Sequence, residues 1–149
     1  MQKPIYTRLL TDRLFWLVQV FALLFWWILY IDGQIIDGPD WLRNHLWEFF
    51  LLALFYPLLE ETVFRGLIQG WLWTGRFGRT LALGLSLPNV LTSVIFCGLH
   101  FIYHPPLWAL AVFIPSLIFG FFRDRYRHLL PAIWLHMFFN SGYFLIFGN

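Results

Sequence analysis

The chain has 149 residues, of which 60% are hydrophobic and 12% are charged, and its formal net charge at neutral pH is +2. Average soluble domains carry about 25% charged residues, so this composition indicates a single membrane domain over residues 1–149. The small net charge argues against a nucleic-acid partner, and membrane topology explains the basic residues better. The single cysteine, Cys97, excludes an internal disulfide and a thiolate metal site.

Apolar segments long enough to cross a bilayer as helices follow one another along the chain. The predicted crossings are residues 14–31, 46–73, 88–103, 107–122 and 131–147. Proline fits the first turn of a helix and not its interior, so the third crossing is expected to begin near Pro88, after a short interfacial helix. The sequence therefore predicts an all-α fold: a polytopic membrane bundle of about five transmembrane helices with one short interfacial helix.

Basic residues lie in every second connector between these segments. They form three groups: Lys3, Arg8 and Arg13; Arg76 and Arg79; and Arg123, Arg125 and Arg127. The other connectors, 32–45 and 104–106, contain only Arg43. By the positive-inside rule, we expect an integral membrane protein with a cytoplasmic N-terminus and a C-terminus on the opposite side.

Three ionisable residues interrupt the second apolar segment: Glu60, Glu61 and Arg65. A charge at bilayer depth costs roughly 3 kcal/mol, so such residues usually face the protein interior and mark a site. Glu61 and Arg65 have the i, i+4 spacing of a helical ion pair, whereas Glu60 lies about 100° round the helix. A structural salt-bridge network is one interpretation. A second carboxylate beside an arginine-paired one also suits a general base.

Two further polar motifs lie in later segments: Phe96-x-x-x-His100 and His136-x-x-x-Asn140. His136 and Asn140 share one helix face, because they are separated by four residues. Taken alone, a membrane histidine is more often a packed residue than a catalytic one. Counted from the helix midpoints, however, Glu60, His100, His136 and Asn140 fall within about 5 Å of one level. This shared depth predicts a single site.

These residue types allow two hydrolytic chemistries. In one, Glu60 and His100 polarise a water molecule while His136 and Asn140 donate hydrogen bonds to an oxyanion, and no cofactor is needed. In the other, Glu60, His100 and His136 bind zinc, which generates hydroxide. The H-E-x-x-H helix that would favour zinc is missing, and so is the G-x-S-x-G motif of serine hydrolases.

The ordered motifs resemble those of the CPBP (Abi) intramembrane proteases, which include the type II CAAX prenyl endopeptidases. The similarity covers residues 46–143, the motif-bearing core, and includes the flanking Phe64-Arg65-Gly66. The resemblance implies an all-helical membrane peptidase, and it favours a metal-independent glutamate protease over a zinc metalloprotease. It implies these roles: water activation by Glu60 and His100, oxyanion binding by His136 and Asn140, and support from Glu61 and Arg65.

The resemblance also implies a membrane-anchored protein or peptide as the substrate, within the lipid bilayer. Small bacterial members resemble enzymes that process C-terminal sorting tails, so we expect a bacterial inner or plasma membrane. The chain is shorter than usual members, with about one helix ahead of the first motif. A homodimer partner or a substrate helix would take the place of the helix that shields the cavity in longer members. Two non-proteolytic alternatives stay open: a non-catalytic binding or immunity protein whose polar cluster is structural, and a small transporter. The absence of a second inverted half argues against the transporter.

Overall fold

The computed structural model describes residues 4–31 and 38–148. The predicted positions of Lys3 and of the connector residues 32–37 lie outside this part. The described residues form helices and contain no strand, which confirms the all-α prediction. The helices are α1 (Ile5–Thr11), α2 (Arg13–Ile31), α3 (Gly38–Asn44), α4 (46–74), α5 (Leu87–His100), α6 (Pro106–Tyr126) and α7 (Leu130–Phe147).

By length and hydropathy, two of the described helices, α6 and α7, can cross a membrane. Helices α1 and α2 add a third candidate if the pair, bent by 62°, is one broken span. Helix α5 is apolar but has only 14 residues. These apolar helices make the chain an integral membrane protein. Four of the five predicted crossings lie within a helix, whereas the third extends three residues beyond the end of α5. The number of actual crossings stays a prediction.

Helix α5 begins where the sequence predicted, but α5 and α6 end at residues other than the predicted ones. Ser86 caps α5 by accepting a hydrogen bond from the Asn89 backbone N–H at 3.0 Å, and Pro88 lies in the first turn. The helix ends at His100, three residues before the predicted end at 103. A short 3₁₀ turn, Ala82–Gly84, occupies the stretch predicted as an interfacial helix.

The prediction of a loop beginning at residue 123 was wrong, because α6 continues to Tyr126. Arg123 and Arg125 therefore lie in the last helical turn, where positive charge interacts favourably with the helix dipole. The helix ends where Arg127 adopts a left-handed backbone conformation, with φ 54° and ψ 35°.

Helix α4 contains two π-helical stretches, Phe50–Phe55 and Thr62–Ile68, on either side of the α-helical Tyr56–Glu61. A π turn widens the helix, changes the partners of backbone carbonyls and is frequent at functional sites. The second stretch contains Arg65 and directly follows Glu60 and Glu61. The polar motif Glu60-Glu61-x-x-x-Arg65 therefore lies where α4 changes from α-helical to π-helical geometry.

The chain divides into two compact units. The central unit, Leu59–Ile133, contains the second half of α4 together with α5 and α6. Its buried apolar side chains include Phe64, Phe96, Phe119 and Phe122. Contacts between α5 and α6 are the most extensive between two helices of this unit. These three helices therefore provide the scaffold for the polar residues described below.

The terminal unit comprises Met1–Leu58 and Trp134–Asn149. Helix α2 packs against α7 there, with the Trp26 ring 5.2 Å from the Phe138 ring. Gly142 permits this approach, because a β-carbon at that position would overlap the Trp26 indole. One turn before Phe138 on α7, the Trp134 indole N–H donates a hydrogen bond of 3.0 Å to Gln19. Trp134 is half exposed, and this hydrogen bond links α7 to α2.

Candidate functional site

Arg65 lies at the centre of a fully buried polar network in the central unit. Its Nε donates to Glu61 Oε2 at 3.3 Å, so the predicted ion pair is present. Its Nη1 donates to Gln69 Oε1 at 3.3 Å and to Ser93 Oγ at 3.4 Å. Its Nη2 donates to the Ser116 carbonyl at 2.8 Å and to the Ser116 hydroxyl. The buried guanidinium therefore has both a counter-charge and hydrogen-bond acceptors, which a buried ion pair requires.

Buried amides extend this network across all three helices. Gln69 Nε2 donates to the Gly120 carbonyl at 3.1 Å, and Asn89 Nδ2 donates to the Leu117 carbonyl at 2.9 Å. Ser93 donates to Asn89 Oδ1 at 3.2 Å. A β-carbon on residue 120 would collide with the side chains of Asn89 and Gln69, so glycine is needed there.

Four members of this network were not predicted from the sequence: Gln69, Asn89, Ser93 and Ser116. The i, i+4 spacing offered a signal for three of them: Gln69, Asn89 and Ser93. Gln69 follows Arg65 by four residues, and Ser93 follows Asn89 by four, so each pair shares one face of an otherwise apolar helix. Polar residues that repeat at this spacing in a membrane helix indicate an interhelical hydrogen-bonded surface.

Glu60 and His100 lie near one contact between α4 and α5. The Phe64 and Phe96 rings meet edge to face, with their centroids 4.9 Å apart. Cross-helix contacts show that the two helices run in opposite directions at this level. Glu60 precedes Phe64 by four residues, and His100 follows Phe96 by four. Both half-buried side chains are therefore about one turn from the ring contact, towards the same end of the helices.

The hydrogen bonding of His100 determines its tautomer. Its Nδ1 lies 2.8 Å from the backbone carbonyl of Phe96. A carbonyl only accepts hydrogen bonds, so Nδ1 carries the hydrogen and Nε2 is the acceptor in the neutral ring. The His104 and Trp108 rings stack beside the imidazole, with centroids 5.7 Å and 5.8 Å away. This arrangement orients Nε2 as a hydrogen-bond acceptor.

His136 and Asn140 belong to α7 in the terminal unit. His136 is buried, with 5% of its surface exposed. Asn140 Nδ2 donates a hydrogen bond of 2.9 Å to the carbonyl of Leu52, within the first π stretch of α4. A carboxamide has two N–H donors, so this bond orients the group and leaves a second donor for another acceptor.

The six predicted site residues are divided between the two units. Glu60, Glu61, Arg65 and His100 belong to the central unit, and the α7 pair to the terminal unit. Among residues 4–31 and 38–148, no three His, Cys, Asp or Glu side chains are grouped so that they could hold a metal ion. Cys97 is a packing residue, since it is buried with its thiol 3.1 Å from the Ala109 carbonyl.

Comparison with known proteins identifies the family. The family model described as "Type II CAAX prenyl endopeptidase Rce1-like" matches residues 42–142, which is more than half of the chain. The matched region includes all three polar motifs. No curated protein matches the chain, and no solved structure does. The chain therefore belongs to the Rce1-like family of type II CAAX prenyl endopeptidases, a family of proteases within the CPBP group.

Proposed function

We propose that this protein is an intramembrane endopeptidase that hydrolyses a peptide bond in a membrane-anchored protein or peptide. Family membership supports peptide hydrolysis, and the apolar helices support a substrate in the same bilayer. The observation that carries the site assignment is the buried Arg65 network. It holds together the two helices that bear Glu60 and His100.

Glu60 and His100 activate the attacking water in this proposal. His100 Nε2 accepts a hydrogen bond from the water, because Nδ1 is already occupied by the Phe96 carbonyl. As the water oxygen forms a bond to the scissile carbonyl carbon, Glu60 accepts the released proton. The carbon–nitrogen bond then breaks as this proton passes to the leaving amine. Each step therefore balances in protons and electrons without a covalent enzyme intermediate.

His136 and Asn140 stabilise the oxyanion of the tetrahedral intermediate. A donor that is already oriented before reaction stabilises developing charge most effectively. The hydrogen bond from Asn140 to the Leu52 carbonyl supplies such orientation. The Glu61–Arg65 ion pair supports the site from within the central unit, because it fixes the position of the residue next to Glu60 on α4.

The test compares Glu60→Gln with Glu48→Gln. Glu48 is an exposed carboxylate on the same helix, so it controls for loss of one acidic group from α4. Purified protein in lipid nanodiscs is incubated with a pool of single-span peptides with C-terminal tails, and new peptide ends are identified by mass spectrometry. We expect cleavage by the parent and by Glu48→Gln. With Glu60→Gln, the rate should fall by about 10²- to 10⁴-fold while the melting temperature is unchanged.

Cleavage by Glu60→Gln at the parental rate would overturn the catalytic assignment. A non-catalytic membrane binder is the second candidate, and the number of polar residues that hold α4, α5 and α6 together favours it. That candidate predicts no cleavage by the parent, together with lower stability and abundance of Glu60→Gln. Treatment with a chelator separates the two hydrolytic chemistries. Water activation by Glu60 and His100 alone predicts an unchanged rate, whereas a loss that Zn²⁺ restores would support the zinc site.

A further inference from the structure

We propose that the central unit binds the headgroup of an anionic phospholipid, a function separate from peptide hydrolysis. The site is a pocket of about 260 Å³ where α4 and α6 end and α5 begins. Trp73 and Phe121 supply its aromatic lining, Thr80 an exposed hydroxyl group, and Arg125 and Arg127 its cationic groups. Tryptophan and arginine at helix ends are typical of the membrane–water interface.

The pocket carries net positive charge although Asp124 also lines it. The Asp124 carboxylate forms an ion pair with Arg123, at 3.0 Å, and accepts a hydrogen bond from the Trp73 indole N–H at 2.6 Å. Its charge is therefore compensated by a residue outside the pocket lining. The lining therefore contains two cations, Arg125 and Arg127, and one carboxylate, and its net positive charge complements a phosphate group.

Arg127 is held in place for such a contact. Its guanidinium carbon lies 4.4 Å from the centroid of the Trp73 ring, within the range of a cation–π interaction. Its left-handed backbone conformation, with φ 54°, turns the chain at the end of α6. A stacked guanidinium still presents N–H donors at its edge, and these match the geometry of phosphate oxygens.

The loop beside the pocket favours a lipid over a free anion. Thr80 and Ser86 form an antiparallel bridge, and the Leu81 N–H donates to the Leu85 carbonyl at 2.6 Å, so the loop is a closed turn. Leu83 lies at its tip with φ 59° and is 93% exposed. A left-handed backbone conformation is unfavourable for leucine. Exposure of the apolar leucine side chain to water is also unfavourable. Insertion of this tip among acyl chains accounts for the exposed leucine, whereas a soluble anion would not.

The test measures lipid binding to the full-length protein in detergent by native mass spectrometry. Phosphatidylglycerol and phosphatidylcholine with the same acyl chains are titrated separately. The pocket variant is Arg125→Gln/Arg127→Gln, and the matched control is Arg76→Gln/Arg79→Gln. The control removes the same charge from exposed positions that lie outside the pocket lining. We expect phosphatidylglycerol to bind the parent at least tenfold more tightly, and the pocket variant alone to lose about tenfold of this affinity.

Two further arms separate a lipid from a free phosphate. Leu83→Asn introduces a residue that tolerates the left-handed conformation but removes the apolar side chain from the loop tip. This variant should weaken phosphatidylglycerol binding by a few fold. Inorganic phosphate at millimolar concentration should not displace the lipid. Equal affinity for the two lipids, or equal losses in the pocket and control variants, would overturn the proposal. Displacement by phosphate with no effect of Leu83→Asn would also overturn it, since the site would then bind a soluble anion. If the double variant fails to fold, Arg125→Gln alone provides the comparison.

Discussion

Arg65→Met is expected to destabilise the protein by about 3–5 kcal/mol, the usual effect of removing one partner of a buried ion pair. Methionine keeps much of the length and apolar volume of arginine, so packing changes little. The change removes five hydrogen bonds. It leaves the fully buried Glu61 carboxylate without its counter-charge and the Gln69, Ser93 and Ser116 acceptors without their donor.

Three companion variants separate charge from hydrogen bonding. The double variant Glu61→Gln/Arg65→Met removes both charges and should be more stable than Arg65→Met alone. Arg65→Lys keeps the charge but offers three donors instead of five, so its stability should be intermediate. Arg43→Met is the control, because Arg43 forms an ion pair with Asp40 in which both side chains are about 80% exposed. Exposed pairs contribute little, so we expect no measurable change.

The assay is thermal unfolding of the purified variants in one detergent, followed by intrinsic fluorescence. At about 2–4 °C per kcal/mol for a chain of this size, Arg65→Met should melt roughly 6–20 °C below the parent. If Arg65→Met melts within 2 °C of the parent, the network does not stabilise the central unit. If the double variant is no more stable than Arg65→Met, an uncompensated Glu61 charge is not the cause of the loss.

The remaining predictions concern the terminal unit and one glycine of α5. Gly142→Ala should lower stability by about 1–3 kcal/mol, because the added methyl group would overlap Trp26. Gly98→Ala is its control, because among residues 4–31 and 38–148 no atom outside the local helix backbone lies within 4 Å of the new β-carbon. Stability should therefore be unchanged or rise by about 0.5–1 kcal/mol. Equal melting temperatures for these two variants would contradict the packing of Trp26. Asn140→Ala should slow peptide cleavage by about 10²- to 10³-fold but lower stability by only about 1 kcal/mol. A parental cleavage rate would remove Asn140 from the oxyanion site.

Local sequence was sufficient for the features that depend on neighbouring residues. The apolar segments predicted the helices, and Pro88 marked the start of α5 because proline is favoured in the first turn of a helix. The Glu61–Arg65 ion pair followed from its i, i+4 spacing. The ordered motifs around Glu60, His100 and His136 were sufficient to indicate the family that the comparison then showed. The roles of these residues in catalysis stay predictions.

Local pattern was insufficient at the end of α6. Three arginines within five residues suggested a loop, yet the helix continues through Arg123 and Arg125. Charged side chains are compatible with a final helical turn, and Asp124 accepts hydrogen bonds from Trp73 and Ser86, on other segments of the chain. The last turn of α6 thus has tertiary contacts of its own, and charge alone does not mark where the helix ends.

The sequence by itself determined that this protein is a set of apolar helices with a few ionisable residues, because helix formation and membrane partitioning depend on local composition. Only the tertiary structure decided how the buried charge is satisfied. The acceptors of Arg65 on α5 and α6 lie 28 and 51 residues away along the chain. Gly120 must be small because Asn89 and Gln69 occupy the space beside it. Such partners are selected by packing between helices, and no pattern within one helix specifies which residues will meet.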